Sequence, residues 1–157
     1  MLVAAVSGGP DSVYMVHRKF AFGAVPRVVV GHVNYGTRGM ESEKDQRLVE
    51  DLGRSHGMDT KVLKMDRGEC SGRGHGPRGS LPAGFERKAR DVRYSFLKNL
   101  AAGSGEGKVA IAHTADDQVE TILMRFLEGA GIAGLKGIPR ETTEGIIRPI
   151  LDVWKQD

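Results

Sequence analysis

The chain is 157 residues long, 39% hydrophobic and 27% charged, with a formal net charge of +3 at pH 7. These values suit one ordinary globular domain, and no apolar run approaches the roughly 20 residues a membrane-spanning helix needs. The single cysteine, Cys70, excludes an internal disulfide and leaves no CxxC pair for zinc or an iron-sulfur cluster.

The first apolar run, LVAAV at residues 2–6, is too short for a signal peptide, has no basic stretch before it, and reads as a strand; the expected compartment is cytoplasmic. It breaks into SGGPDS at residues 7–12, after which Val13, Val16 and Phe20 recur at helical spacing. RVVVGHV at 27–33 is a second strand, nearly all apolar, as a strand buried on both faces should be. NYGTR follows it. Leu48, Val49 and Leu52 belong to a helix that Ser42 and Asp45 open as an approximate capping box, worth about 1 kcal/mol, and Gly57 closes.

TKVLKM at 60–65 is the third strand. Residues 66–84 interleave glycine with basic residues without an apolar period, which predicts a flexible loop inside the domain. Arg67, Arg73, Arg78, Arg87, Lys88, Arg90 and Arg93 concentrate positive charge in and after it, compatible with a polyanionic partner or with a solvated surface. Phe85, Ala89, Val92, Phe96 and Leu100 make one helical stripe; Val119, Ile122, Leu123, Phe126 and Leu127 make another, ended by Gly129. Between these stripes lies the strand KVAIAH at 108–113, followed by HTADD. IIRPI at 146–150 is a weaker fifth strand, and LDVWKQD at 151–157 resembles a helix start, so the domain, residues 1–157, is expected to be incomplete at its C-terminal end.

Strands alternating with helices imply an α/β fold, a doubly wound parallel sheet that binds ligands at the carboxyl ends of its strands. SGGPDS, NYGTR and HTADD all fall there. In SGGPDS the glycines let backbone approach a ligand and successive N–H groups attract an anion; Ser7 and Ser12 add hydroxyls, and Pro10 suits a first helical turn. Asp11 would repel a phosphate unless a divalent cation bridged the two, so the loop predicts a nucleotide with Mg²⁺. It is not a Walker A loop, because the GxxxxGK[ST] lysine is missing. GAGIAG at 129–134 matches GxGxxG by letter, but it follows a helix and reads as a helix C-terminal loop.

SGGPDS resembles the pyrophosphate-binding motif SGGxDS of the N-type ATP pyrophosphatases, the PP-loop superfamily with its Rossmann-like adenine nucleotide alpha hydrolase fold. Within that superfamily, NYGTRGMESEKD at 34–45, FERKARDVRYSFL at 85–97, AHTADDQVETILMRFLEGAGIAGLKGIP at 112–139 and IIRPILDVWK at 146–155 are similar in order and spacing to segments of the tRNA(Ile)-lysidine synthetase family. The resemblance spans nearly the whole chain. It implies ATP-dependent ligation of free L-lysine to C2 of the wobble cytidine of tRNA(Ile) bearing a CAU anticodon, through an adenylated intermediate, with Mg²⁺.

In HTADDQVE, Asp117 and Glu120 are three apart and Asp116 and Glu120 four apart, so they share the first turns of a helix and call for a cation. The resemblance assigns Asp117 and Glu120, with Asp11, to the lysine amine, and Asp11 and Asp116 to metal, Asp116 alternatively to loop geometry. Ser7, Gly8, Gly9, Asp11 and Ser12 would hold the phosphates. His113 would contact the adenylated intermediate or polarise the phosphate, Arg90 and Arg93 would contact ATP or the tRNA backbone, and Arg38 would bind substrate. Either Asp11 or Asp117 would take the proton from the attacking amine. The chain departs from the family at Tyr35, where a histidine is expected, and at Thr37, where a leucine is. Two rival readings are a tRNA 2-thiocytidine-type thiolase, disfavoured by the lone cysteine, and a silent ATP- or RNA-binding fragment; a homodimer is left open.

Overall fold

The computed structural model describes residues 1–20, 27–65, 84–103 and 107–156. Five strands, β1 Leu2–Ala5, β2 Val28–Asn34, β3 Asp59–Lys64, β4 Lys108–Ala110 and β5 Ile146–Ile147, form one sheet in the order β3-β2-β1-β4-β5, with all neighbours parallel. This is the doubly wound arrangement that the alternating pattern implies. Central β1 explains why the first run is apolar throughout. Val3 packs with Leu97, Ala101 and Val109 on one face, while Leu2, Ala4 and Val6 join Met15, Val16, Val30 and Val49 on the other.

Helix α1, Pro10–Met15, starts with proline at its first turn and continues as a π-helical turn, Val16–Phe20. Together with α2, Met40–Ser55, it covers one face of the sheet; α3, Phe85–Ala102, covers the other. Gly31 allows α3 to come this close, since a Cβ there would stand 2.5 Å from Leu97 Cδ2. Among the described residues no helix is long and apolar enough to cross a membrane.

Several expectations are corrected. Helix α2 begins at Met40, after Gly39, so Ser42 is no N-cap; its hydroxyl lies inside the first turn and accepts the Arg38 N–H (3.2 Å). Leu48 is solvent-exposed, and the buried face of α2 uses Gln46, Val49 and Leu52. Strand β5 stops at Ile147 because Arg148 N–H turns to Arg140 O and Pro149 has no N–H to donate. Residues 151–156 form turns and irregular backbone rather than a helix. The expected loop at 66–84 lies outside the described residues except for Gly84.

The largest correction concerns α4, Ala115–Leu127. Its apolar stripe faces outward: Val119, Leu123, Phe126 and Leu127 are all exposed, Leu127 by 76%. The polar side holds the helix down. Gln118 exchanges bonds with the backbone of Ile138, and Arg125 donates to Gly134 O and Gly137 O, both at 3.1 Å. These bonds tie α4 to the 3-10 turn Ile132–Lys136 and the residues just after it; of GAGIAG, residues 129–131 form the connection that follows α4 and residues 132–134 open the 3-10 turn.

Burial therefore predicts opposite outcomes for two apolar substitutions. Leu97→Ala, at a side chain 1% exposed, should lower the unfolding free energy in urea by about 2–5 kcal/mol, whereas Phe126→Gln should change it by under ~1 kcal/mol.

Candidate functional site

Strand β1 sits between β2 and β4, so the order in which successive strands join the sheet reverses there, between the carboxyl ends of β1 and β4. An open α/β sheet has its crevice at such a switch point. Here a cavity of about 330 Å³ opens, lined by the SGGPDS loop, the end of β2, Tyr35, Arg38, Arg93, His113 and Asp117. Its size is within the range of small-molecule sites.

The hydroxyls of Ser7 and Ser12 organise the loop. Ser7 Oγ accepts the Gly9 N–H (3.3 Å), and Ser12 Oγ donates to Gly9 O (2.8 Å) while accepting the Ser7 N–H (3.3 Å). Gly8 has φ +93°, which side-chain-bearing residues rarely adopt, and an added Cβ would stand 3.1 Å from Asp45 Cβ. Asp45 is in turn paired with Arg38 at 3.0 Å, so Arg38 braces the wall of the loop as well as lining the cavity.

Across the crevice, Thr114 caps α4 in a full capping box with Asp117. Asp117 Oδ2 accepts the Thr114 N–H (2.7 Å) and hydroxyl (3.0 Å), leaving Oδ1 4.0 Å from Lys155 Nζ. Asp11 Oδ2 is 3.5 Å from the same ammonium. One lysine thus joins two predicted site carboxylates, and they hold its pKa above the usual value, Asp11 acting most strongly and Asp117 next. Asp116 Oδ2 accepts the backbone N–H of Lys155 (2.9 Å).

His113 lines the cavity, and its protonation state follows from its partner. Arg148 Nε–H donates to His113 Nδ1 at 3.0 Å; a guanidinium only donates, so Nδ1 is bare and Nε2 carries the hydrogen. Burial first, and the Arg148 charge second, lower the His113 pKa, against an opposing pull from Asp117. Arg148, itself buried, is fixed by a second bond to Pro139 O (2.6 Å). Deeper in, His32 Nδ1–H donates to Val6 O at 2.8 Å, leaving Nε2 buried with no partner among the described residues.

The remaining expected residues divide. Arg93 reaches the cavity; Arg90 is exposed outside its lining, and both guanidinium groups flank the Tyr94 ring, at 5.6 and 5.5 Å. Glu120 is exposed one turn along α4 from Asp117 and does not line the cavity. Tyr35, the departure from the family pattern, has a positive role: its hydroxyl donates to Ala89 O (3.1 Å) and its ring meets Phe85 edge-on, tying the end of β2 to α3. Lys155 and Arg148 were not among the expected site residues. Both lie in IIRPILDVWK, so the segment was recognisable, but the contacts with His113 and Asp117 that bring it to the site span 35 or more positions.

The architecture and the loop define the class. The family described as the PP-loop domain matches residues 1–157, and the chain belongs to it. Its relatives narrow the comparison. It is 37% identical over 157 residues to the tRNA(Ile)-lysidine synthase of Solibacter usitatus, 99% of this chain and 32% of that protein. It is 40% identical over 163 residues to that of Bradyrhizobium diazoefficiens, 98% of this chain and 41% of that one. The chain thus spans only about a third to two-fifths of the length of these relatives. In fold it is similar to the U34-tRNA thiolase NcsA of Methanococcus maripaludis, solved with its [4Fe-4S] cluster, with a TM-score of 0.64, 17% identity, and coverage of 99% of this chain and 52% of that one.

The His113 geometry makes stability depend on pH in a defined direction. The unfolded chain takes up the proton near 6.5 and the folded one only at lower pH, so this contribution is complete above about 6.5 and is lost as pH falls through the lowered value. Urea unfolding between pH 7.5 and 5 should show a decline that His113→Gln flattens.

Proposed function

We propose that this chain is the nucleotide-binding catalytic core of a tRNA(Ile)-lysidine synthase, joining L-lysine to C2 of the wobble cytidine of tRNA(Ile) with a CAU anticodon. The observation that carries the reading is the meeting of SGGPDS and HTADD, from opposite halves of the sequence, around one cavity at the β1/β4 crevice. The whole-chain similarity to proteins of that name supports it.

In the proposed reaction the cytidine O2 attacks the α-phosphorus of ATP and the bond to the β-phosphate oxygen breaks, releasing pyrophosphate. The lysine ε-amine then attacks C2, and AMP leaves with the former O2. The loop of Ser7, Gly8, Gly9 and Ser12 would receive the phosphates, its backbone already shaped by the two hydroxyls. His113 offers Nε2–H, a neutral donor held in one tautomer by Arg148, to a phosphate or adenylate oxygen. Arg93 adds positive charge at the cavity wall, with Arg90 beside it for ATP or the RNA backbone.

Asp11 and Asp117 converge on one ammonium in the structure, which supports their assignment to the amine of substrate lysine; Glu120 would join them from its exposed position through substrate or tRNA. Asp117 Oδ2 is committed to the Thr114 cap, so Asp11 is the carboxylate with more freedom to accept the amine's proton. The site also suits Mg²⁺, which is commonly held by one or two carboxylates together with substrate phosphates. Among the described residues no group of three or more His, Cys, Asp or Glu is placed to hold a metal alone, so Asp11, with Asp117 rather than Asp116, would bind it jointly with the nucleotide. There it would neutralise charge on the departing pyrophosphate.

The similarity to the thiolase rests on fold alone. This chain's one cysteine does not supply a cluster ligand set.

The test is transfer of labelled lysine to unmodified tRNA(Ile) with ATP and Mg²⁺. Incorporation is expected, falling by about 100-fold or more in Asp11→Ala. ATP binding without incorporation would make the chain a nucleotide-binding part without turnover of its own, and loss of neither step in the variant would remove Asp11 from the site.

A further inference from the structure

SGGPDS lacks the lysine with which a Walker A loop meets its phosphates, yet a lysine arrives from near the other end of the sequence. Lys155 Nζ stands 3.5 Å from Asp11 Oδ2, within that loop, and 4.0 Å from Asp117 Oδ1 across the crevice. Its backbone is anchored independently of its charge. Lys155 N–H donates to Asp116 Oδ2 at 2.9 Å, and Val153 O accepts the Ala115 N–H at 2.9 Å, so residues 153–155 are docked on the first turn of α4. The backbone is held in place, while the side chain, 47% exposed, carries its charge on a flexible four-carbon stem.

The charges near that tip do not suit a polyphosphate as they stand. Asp11 and Asp117 face the crevice, and a nucleotide seated on Gly8 and Gly9 would bring several more negative charges beside Asp11. A mobile ammonium within reach of the loop is the group that can change partners as the phosphates arrive; lysine is a compact point charge on a flexible stem, suited to such an exchange.

We propose that Lys155 is the phosphate-binding cation of this site, leaving the Asp11–Asp117 pair when ATP binds and neutralising the β- and γ-phosphates that depart as pyrophosphate. Its move frees both carboxylates for the incoming cations, the metal and the substrate ammonium. The inference rests on the nucleotide reading of the cavity proposed above.

Calorimetric titration of the chain with ATP, with inorganic pyrophosphate and with AMP, each with Mg²⁺, separates the two. Lys155→Ala should weaken ATP and pyrophosphate about 10- to 100-fold and AMP by less than about threefold, while Lys155→Arg should restore both to within about fivefold. Unchanged affinity for ATP and pyrophosphate in Lys155→Ala would overturn the inference alone. So would an equal loss for all three ligands, which would make Lys155 a structural anchor of residues 153–155. A wild-type chain that bound neither ATP nor pyrophosphate would overturn the nucleotide reading and this inference together. Thermal melting of both variants should match the wild type, because the side chain that changes is half-exposed.

Discussion

The parallel pairing of β1 with β4 is the constraint on which the site depends. Leu2, Val3 and Ala4 lie in register with Lys108, Val109 and Ala110, residues more than a hundred positions later. This pairing sets the loop after β1 beside the segment after β4, and the reversal of strand order between them opens the crevice. It requires strands that tolerate burial on both faces, which is why LVAA and VA are apolar throughout. Residues such as Val3 and Val109, remote from any ligand, hold Asp11 and Asp117 within reach of one ammonium.

Around this frame several polar groups hold one another in place. The serines of the loop satisfy the loop itself, Thr114 and Asp117 satisfy the start of α4, and Arg148 fixes the His113 tautomer. Preorganisation of this kind stabilises charge that develops later without reorganisation cost at that moment. Lys155 differs, a charge on a long stem with two acidic neighbours and a partly exposed tip. A loop shaped by its own hydroxyls thus faces a long-stemmed ammonium across the crevice.

Much of this was legible in the sequence. The β-branched runs marked β1, β2 and β4, and Gly8 at a strand end marked a backbone turn that side-chain-bearing residues rarely adopt. The helical stripe of Phe85 and Ala89 identified α3. What stayed illegible was long-range or depended on which side of an element is covered. The period of Val119, Leu123 and Phe126 groups those residues on one face of α4, but periodicity does not say that this face meets solvent while Gln118 and Arg125 hold the helix in place. Ser42 with Asp45 imitated a cap that Gly39 replaces. Thr114 with Asp117 was a genuine cap, hidden by the richer reading of HTADD as a cluster of acids. Arg148 and Lys155 could be noticed only as part of IIRPILDVWK, since no local pattern announces a contact with His113 or Asp11.

Attack at the α-phosphorus of ATP is the step proposed for this crevice. The most direct measurement is the fate of ATP labelled at that phosphorus, incubated with the chain, Mg²⁺, lysine and unmodified tRNA(Ile), with products separated by chromatography. Label in AMP, formed in step with pyrophosphate and dependent on the tRNA, is the predicted result. Label in ADP, with release of inorganic phosphate, would contradict it.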